Sequence, residues 1–149
     1  MSKKNITEKI DKLIWKQDFP DPKEYFRLFE TTGWNNQYRF NEDELIWAIQ
    51  NSWYALSVYY KQKLVGFGRI ISDGVHHALI VDIIVHPGYQ GKGIGGEILQ
   101  NLINRCKRYQ IRDVQLFCAR GKSEFYEKHG FKPRLPDAPG MQLSSGFAD

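Results

Sequence analysis

Gln90-Gly91-Lys92-Gly93-Ile94-Gly95-Gly96 decides how this chain is read. It follows Ile80-Val81-Asp82-Ile83-Ile84-Val85, an apolar run rich in β-branched residues. It precedes Glu97-Ile98-Leu99-Gln100-Asn101-Leu102-Ile103, whose apolar positions recur at helical spacing. A strand therefore runs into a glycine-rich turn that opens a helix. Backbone N–H groups and the positive end of the helix dipole converge at such a turn, which makes it a cradle for phosphate. A plain strand-to-helix turn needs one glycine. The four here permit close backbone approach and positive φ without a Cβ clash.

On the N-terminal side, Lys12 to Gln17 predicts a short strand, broken by Pro20-Asp21-Pro22. Lys23 to Glu30 predicts a helix ended by Gly33, and Trp34 to Tyr38 a loop. Asn41 is placed as an N-cap with Glu44 at the capping-box position, ahead of a helix over Glu42 to Asn51. Three strands follow with tight connections, Trp53 to Tyr60, Leu64 to Ile71 and His76 to His86, an antiparallel meander. Beyond the glycine turn the helix reaches Tyr109. Asp113 to Cys118 then predicts a strand parallel to the third, because a helix crosses between them. Ser123 to His129 predicts a short helix. Phe131 to Arg134 and Met141 to Ser144 predict two short final strands around the loop Pro136 to Gly140. The expected fold class is α/β (α+β), a single domain over 1–149, with a mixed sheet of about six to seven strands flanked by about four helices.

The 149 residues suit one core. No segment approaches the ~20 apolar residues of a membrane span, and Met1 to Lys12 is polar, without the apolar centre of a signal peptide. Cys106 and Cys118 do not make a disulfide framework, so a cytoplasmic protein with reduced thiols is expected. A net charge of +4 suits an anionic ligand. Arg105, Lys107 and Arg108 read as a solvated helix end rather than a nucleic-acid surface. No membrane or nucleic-acid partner and no metal is expected.

Three phosphate ligands compete for the turn. Gly91-x-Gly93-x-x-Gly96 matches the dinucleotide fingerprint, with Arg120 placed to mimic a 2′-phosphate reader, but antiparallel strands precede it and too little chain follows. The nucleoside-triphosphate loop G-x-x-x-x-G-K-[ST] is absent. The third is coenzyme A. Val85-His86-Pro87-Gly88-Tyr89-Gln90-Gly91-Lys92-Gly93-Ile94-Gly95 resembles the acetyl-CoA signature of the GNAT superfamily of N-acetyltransferases, whose Gln/Arg-x-x-Gly-x-Gly/Ala core is met by Gln90, Gly93 and Gly95. Phe125-Tyr126-Glu127-Lys128-His129-Gly130-Phe131 resembles that family's F-Y-x-x-x-G-F segment, and the order of elements fits its fold. Gly33-Trp34, Leu64-Val65-Gly66 and Gly140-Met141 are loosely similar to the bacterial and plastid branch that includes plant-type serotonin acetyltransferases.

The resemblance implies transfer of an acetyl group from acetyl-CoA to an amine by direct attack in a ternary complex. Neither cysteine then needs to react. It implies that Gln90, Gly91, Lys92, Gly93, Ile94, Gly95 and Gly96 hold the pyrophosphate and that the backbone of Ile83, Ile84 and Val85 lies beside the pantetheine arm. A backbone N–H near Val85 is the candidate donor to the developing oxyanion. Tyr126 occupies the position of the general acid. A tyrosine of pKa about 10 can protonate a thiolate whose conjugate acid lies near ~8.5.

The amine must also lose a proton. At a pKa of ~10.4 about one molecule in 2,500 is neutral at pH 7, a penalty of ~4.6 kcal/mol. Better-known members place a basic residue two or four positions before Ile83, where this chain has Val81 and Leu79. Alternation turns Asp82 to the opposite face unless a bulge re-aims it. Asp82 is the candidate for ammonium binding or proton relay, or else a carboxylate satisfied by nearby backbone. His76 and His77 read as surface residues. Ala119 stands where many relatives carry a cofactor-binding Asn, which leaves Arg120 or Lys122 to reach a phosphate.

In that fold the first two helices and their loop build the acceptor pocket. Here the region offers Phe29, Trp34, Asn35, Gln37, Tyr38 and Arg39, with Trp34 and Tyr38 as substrate-binding candidates and Phe29 more readily a core residue. The expected acceptor is a small-molecule amine, an aryl or alkyl amine packed on the aromatics. A protein lysine or N-terminus, or a silent CoA-binding module, remains open. A homodimer is compatible with the resemblance, but nothing in the sequence locates an interface.

Overall fold

Five strands pair in chain order, β1-β2-β3-β4-β5. They are β1 (Ile14–Lys16), β2 (Tyr54–Tyr60), β3 (Lys63–Ser72), β4 (His77–Val85) and β5 (Asp113–Leu116). All neighbours run antiparallel except β4 and β5, which are parallel. The helices are α1 (Pro22–Glu30), α2 (Asn35–Tyr38), α3 (Glu42–Gln50), α4 (Ile94–Arg108) and α5 (Ser123–Glu127). The structure is a computed structural model describing residues 12–144, so nearly all of the polar N-terminal stretch lies outside the described residues.

Local chemistry explains the boundaries. The Asp21 carboxylate accepts the Lys23 and Glu24 N–H groups and Pro22 takes the first helical position, which starts α1. The capping box of α3 is present in both directions, Asn41 with the Glu44 backbone and Glu44 with the Asn41 backbone. The stretch expected as a loop around Trp34 instead winds into α2, closed by Arg39 in the left-handed conformation at φ 58°. The side chain of Asn35 holds that closure by bonding both the N–H and the C=O of Phe40.

Among the described residues the sheet has five strands, against the expected six to seven. Phe131 to Arg134 and Met141 to Ser144 form no strand, and residues 132–144 are exposed throughout. Pro133 removes a donor inside the first segment, and neither segment buries a face that would hold it against the edge of β5.

The sheet is covered on both faces. Against α4 pack Tyr54, Leu56, Val58, Val65, Ile70, Ala78 and Ile80. Against α1 and α3 pack Ala55, Leu64, Phe67 and Ile84. Ile80 and Ile84, four positions apart on one strand, thus feed opposite cores. The cause is a bulge. The pairs Phe67↔Ile84 and Arg69↔Val81 leave Asp82 and Ile83 together opposite Gly68, with Asp82 left-handed at φ 55°.

At Gly68 the sheet approaches α4 so closely that a Cβ would lie 2.6 Å from Ile98 Cγ2 and 3.0 Å from Leu102 Cδ1. Both side chains are fully buried, and the Ile98 branch cannot swing aside. Gly68→Ala is expected to lower stability by about 1–3 kcal/mol, read as a lower urea midpoint at unchanged slope. An unchanged midpoint would mean that the helix lifts off the sheet freely.

Candidate active site

The glycine turn begins as β4 ends. His86 Nδ1 accepts the Gly88 N–H at 3.0 Å and opens one 3-10 turn over Pro87–Tyr89. Gln90 Nε2 then donates to the Val85 carbonyl at 2.9 Å, tying the turn to the strand. Gly91 and Gly93 are left-handed at φ 75° and 83°, and a Cβ on either would meet nothing within 4 Å. Those glycines are therefore required by backbone conformation, and the space beside them is open. Gly93 caps α4 without a side chain, and the first intrahelical bond is Glu97 N–H to Gly93 O at 3.1 Å. The N–H groups of Ile94, Gly95 and Gly96 are thus offered outward, as an anion site needs. Ile94 contributes only its backbone, since its side chain is in the core. Lys92 Nζ folds back to the Gly88 carbonyl at 3.2 Å and over the Tyr89 ring.

Beside the turn, β4 loses its neighbour. Its pairing with β5 ends at Ile80↔Leu116. His86 N–H donates to Val65 O at 2.8 Å, so by antiparallel alternation Val85 turns its own N–H away from β3, towards the unpaired side. Ile84 is different: it pairs with Phe67 and its side chain is buried on the α1–α3 face. Ile83 sits on the α4 side of the bulge, half-buried against that core.

Tyr126 projects from α5 into a groove of about 560 Å³ shared with Leu116, Phe117, Cys118 and Ser123. Phe125 and Phe131 hold its ring edge-on. Burial first, and the neighbouring Cys118 second, push the Tyr126 phenol above its ordinary range.

A second cavity, of about 500 Å³, opens between the first helices and the sheet. Phe29, Trp34, Gln37, Tyr38 and Phe40 line it, whereas Asn35 and Arg39 do not. Phe29 serves core and cavity together, being only 4% exposed. Trp34 stands edge-on to Phe29, and Tyr38 stacks on Phe40 at 5.4 Å between centroids. Asp82 lies in the cavity wall, re-aimed by the bulge. Regular alternation would have placed its carboxylate on the same face as Ile80, under α4. Its Oδ2 accepts Arg69 Nε at 2.6 Å, and Arg69 Nη1 is anchored on Ala48 O and Ser52 Oγ at the end of α3. The α3 terminus thereby fixes the orientation of the carboxylate. A left-handed aspartate costs about 1–2 kcal/mol, which the ion pair offsets.

Phe117 lines both spaces. Tyr126 and Asp82 therefore belong to two cavities that share one wall. Sequence reasoning missed Arg69, Phe40 and Phe117. Arg69 becomes legible only once the β3–β4 register is known, and Phe117 only once β5 is seen to stop one residue short of it. His76 and His77 stack on each other, and His77 Nδ1 lies 3.4 Å from Asp113 Oδ2 at the opposite end of β4. Ala119, Arg120 and Lys122 are exposed beyond β5. Among the described residues no group of three or more His, Cys, Asp or Glu side chains is placed to hold a metal ion, and no helix is long and apolar enough to cross a membrane.

An outward-facing glycine cradle after β4, with a strand edge and a second pocket beside it, is an arrangement suited to holding an anionic ligand next to a second molecule. The chain belongs to the Acetyltransferase (GNAT) family, whose family profile matches residues 10–131. It is 36% identical over 99 residues to an uncharacterized N-acetyltransferase ycf52 of Pyropia yezoensis, covering 64% of this chain and 55% of that protein. It is 30% identical over 125 residues to histone acetyltransferase TAP1 of Glycine max, covering 76% of this chain and 53% of that protein. The chain spans 55 to 63% of the length of the ycf52 relatives from Pyropia yezoensis, Gracilaria tenuistipitata var. liui and Porphyra purpurea. A probable acetyltransferase of Staphylococcus aureus superposes with a TM-score of 0.73 at 25% identity, covering 89% of this chain and 99% of that one.

Proposed function

We propose that the protein is an acetyl-CoA-dependent N-acetyltransferase acting on a primary amine of a small molecule. The observation that carries this reading is the common wall at Phe117, which sets a groove holding Tyr126 against an aromatic cavity holding Asp82.

Acetyl-CoA, when bound, supplies the acyl group as a thioester. The residues present fit it. The space beside Gly91 and Gly93 is open, the first N–H groups of α4 have no intrahelical partner, and together they suit a pyrophosphate, while the unpaired edge of β4 suits an amide-bearing arm. Val85 N–H is placed to donate to the oxygen on which charge develops. Asp82 receives the acceptor's ammonium or passes on its proton. As the amine nitrogen bonds to the acyl carbon, the carbon–sulfur bond breaks and Tyr126 Oη gives its proton to sulfur.

The acceptor enters between Trp34, Tyr38 and Phe40. A walled cavity of about 500 Å³ suits an aryl or alkyl amine. A polypeptide acceptor is the second reading, supported by the histone acetyltransferase named among the relatives.

Calorimetric titration with acetyl-CoA, followed on the same sample by thiol release against a panel of amines, tests the proposal. Binding with release to free amines is expected. Binding with release only to peptides would transfer the reading to a protein acceptor. Binding without any release would leave a CoA-binding module, and no binding would overturn the cradle assignment.

A further inference from the structure

The acceptor cavity contains a polar group that neither the motifs nor the ion pair accounts for. Tyr25, on α1, is 1% exposed and lines the cavity together with Asp82 and Arg69. Its ring is fixed by packing, edge-on to Phe67 at 4.8 Å and tilted against Phe29 at 6.1 Å. Among the described residues its hydroxyl has no hydrogen-bond partner. The ring is buried but the oxygen is not sealed off: among the described residues Arg105 Nε alone is a fully buried side-chain polar atom without a partner, so the Tyr25 oxygen is open to the cavity. Asp82 is in the same position on one side: Oδ2 is taken by Arg69 Nε, and Oδ1 has no partner among the described residues.

We infer that Tyr25 Oη and Asp82 Oδ1 together bracket the nitrogen of the acceptor amine, and that this pair selects primary over N-substituted amines. This rests on the amine-transfer reading above.

The geometry of attack explains why two acceptors are needed. A neutral primary amine has one lone pair and two N–H bonds. The lone pair must point at the acyl carbon. The two N–H bonds then need two acceptors, and the cavity offers one carboxylate oxygen and one phenol oxygen. A secondary amine in the same attitude has one N–H, so one of the two oxygens is left buried and unpaired, which is penalised more than a mean hydrogen bond is rewarded. The phenol suits this use because it stays protonated. Burial first, and the Asp82 carboxylate second, raise its pKa, while Arg69 offsets part of the rise. A phenol held neutral accepts through oxygen and keeps its own proton for Asp82 or a water molecule.

Tyr25→Phe removes the hydroxyl and keeps the ring that packs on Phe67. With 2-phenylethylamine as probe, the variant is expected to raise KM about 5- to 10-fold with kcat changed much less. The preference for 2-phenylethylamine over N-methyl-2-phenylethylamine is expected to narrow by a similar factor. A melting temperature and an acetyl-CoA affinity matching the parent protein show that the fold is intact. Calorimetric titration of each amine into the CoA-bound protein reads the same preference without catalysis. Amine binding that depends on Tyr25 without acetyl transfer sinks the proposed function and keeps this inference. Transfer with an unchanged primary-to-methylated ratio in Tyr25→Phe sinks the inference and keeps the function. Absence of both binding and transfer overturns both.

Discussion

Tyr126→Phe is expected to lower kcat for acetyl transfer by about 100-fold, and kcat/KM with it, while acetyl-CoA affinity stays close to that of the parent protein. The size of the effect follows from the leaving group. A thiolate whose conjugate acid lies near ~8.5 departs with moderate ease, so a proton donor contributes at the lower end of the range for general acids. The phenylalanine keeps the edge-on contacts with Phe125 and Phe131, so the loss reports the hydroxyl and not the packing. The pH profile gives a second reading. A general acid works while protonated, and the Tyr126 phenol is raised by burial. Parent activity is therefore expected to show no alkaline fall below about pH 10. An unchanged kcat in the variant, or an alkaline fall near pH 8, would remove Tyr126 from the role.

Asp82→Asn is expected to reduce kcat/KM for a free amine about 100-fold and to leave acetyl-CoA binding intact, measured by thiol release and by calorimetry. Asparagine is the right replacement because it tolerates the left-handed backbone that position 82 adopts at φ 55°. It keeps the bulge and removes the charge. The Arg69 guanidinium then loses its anionic partner and keeps only Ala48 O and Ser52 Oγ. A modest loss of stability accompanies the change, limited because both side chains keep some solvent contact. If kcat/KM is unchanged, the carboxylate only satisfies Arg69, and the acceptor is held by the aromatics alone.

The turn from Gln90 to Gly96 could be read from sequence because its requirement is backbone conformation, which glycine spacing announces directly. The cap at Asn41 was legible for the same reason: it is a local bond between residues three apart. The meander was legible from alternation and tight turns. What escaped depends on register between distant segments. Alternation alone sends Asp82 under α4, and only the pairing of β4 with β3 shows the extra residue that turns it round. Arg69 lies 13 positions from its partner, with a hairpin between them. The two final strands do not form, and the sequence could not show it, because short apolar patches such as Met141 and Leu143 look alike whether they are buried or exposed. In the sequence Tyr25 stands beside Phe26 and near Phe29 as one of three aromatics of α1. Nothing in its neighbours tells a core ring from a ring whose oxygen faces a cavity.

The bulge at Asp82 also constrains how this gene can drift. Because Ile80 and Ile84 belong to opposite cores, β4 is two half-strands of opposite phase joined at one residue. Deleting Asp82 itself would leave Ile80 and Ile84 three positions apart, and plain alternation would still send them to opposite cores. Both cores would keep their side chains. What would go is the carboxylate in the cavity wall and its ion pair with Arg69. The extra residue in β4 therefore serves the cavity and not the packing, and its loss is expected to cost the site far more than it costs the fold.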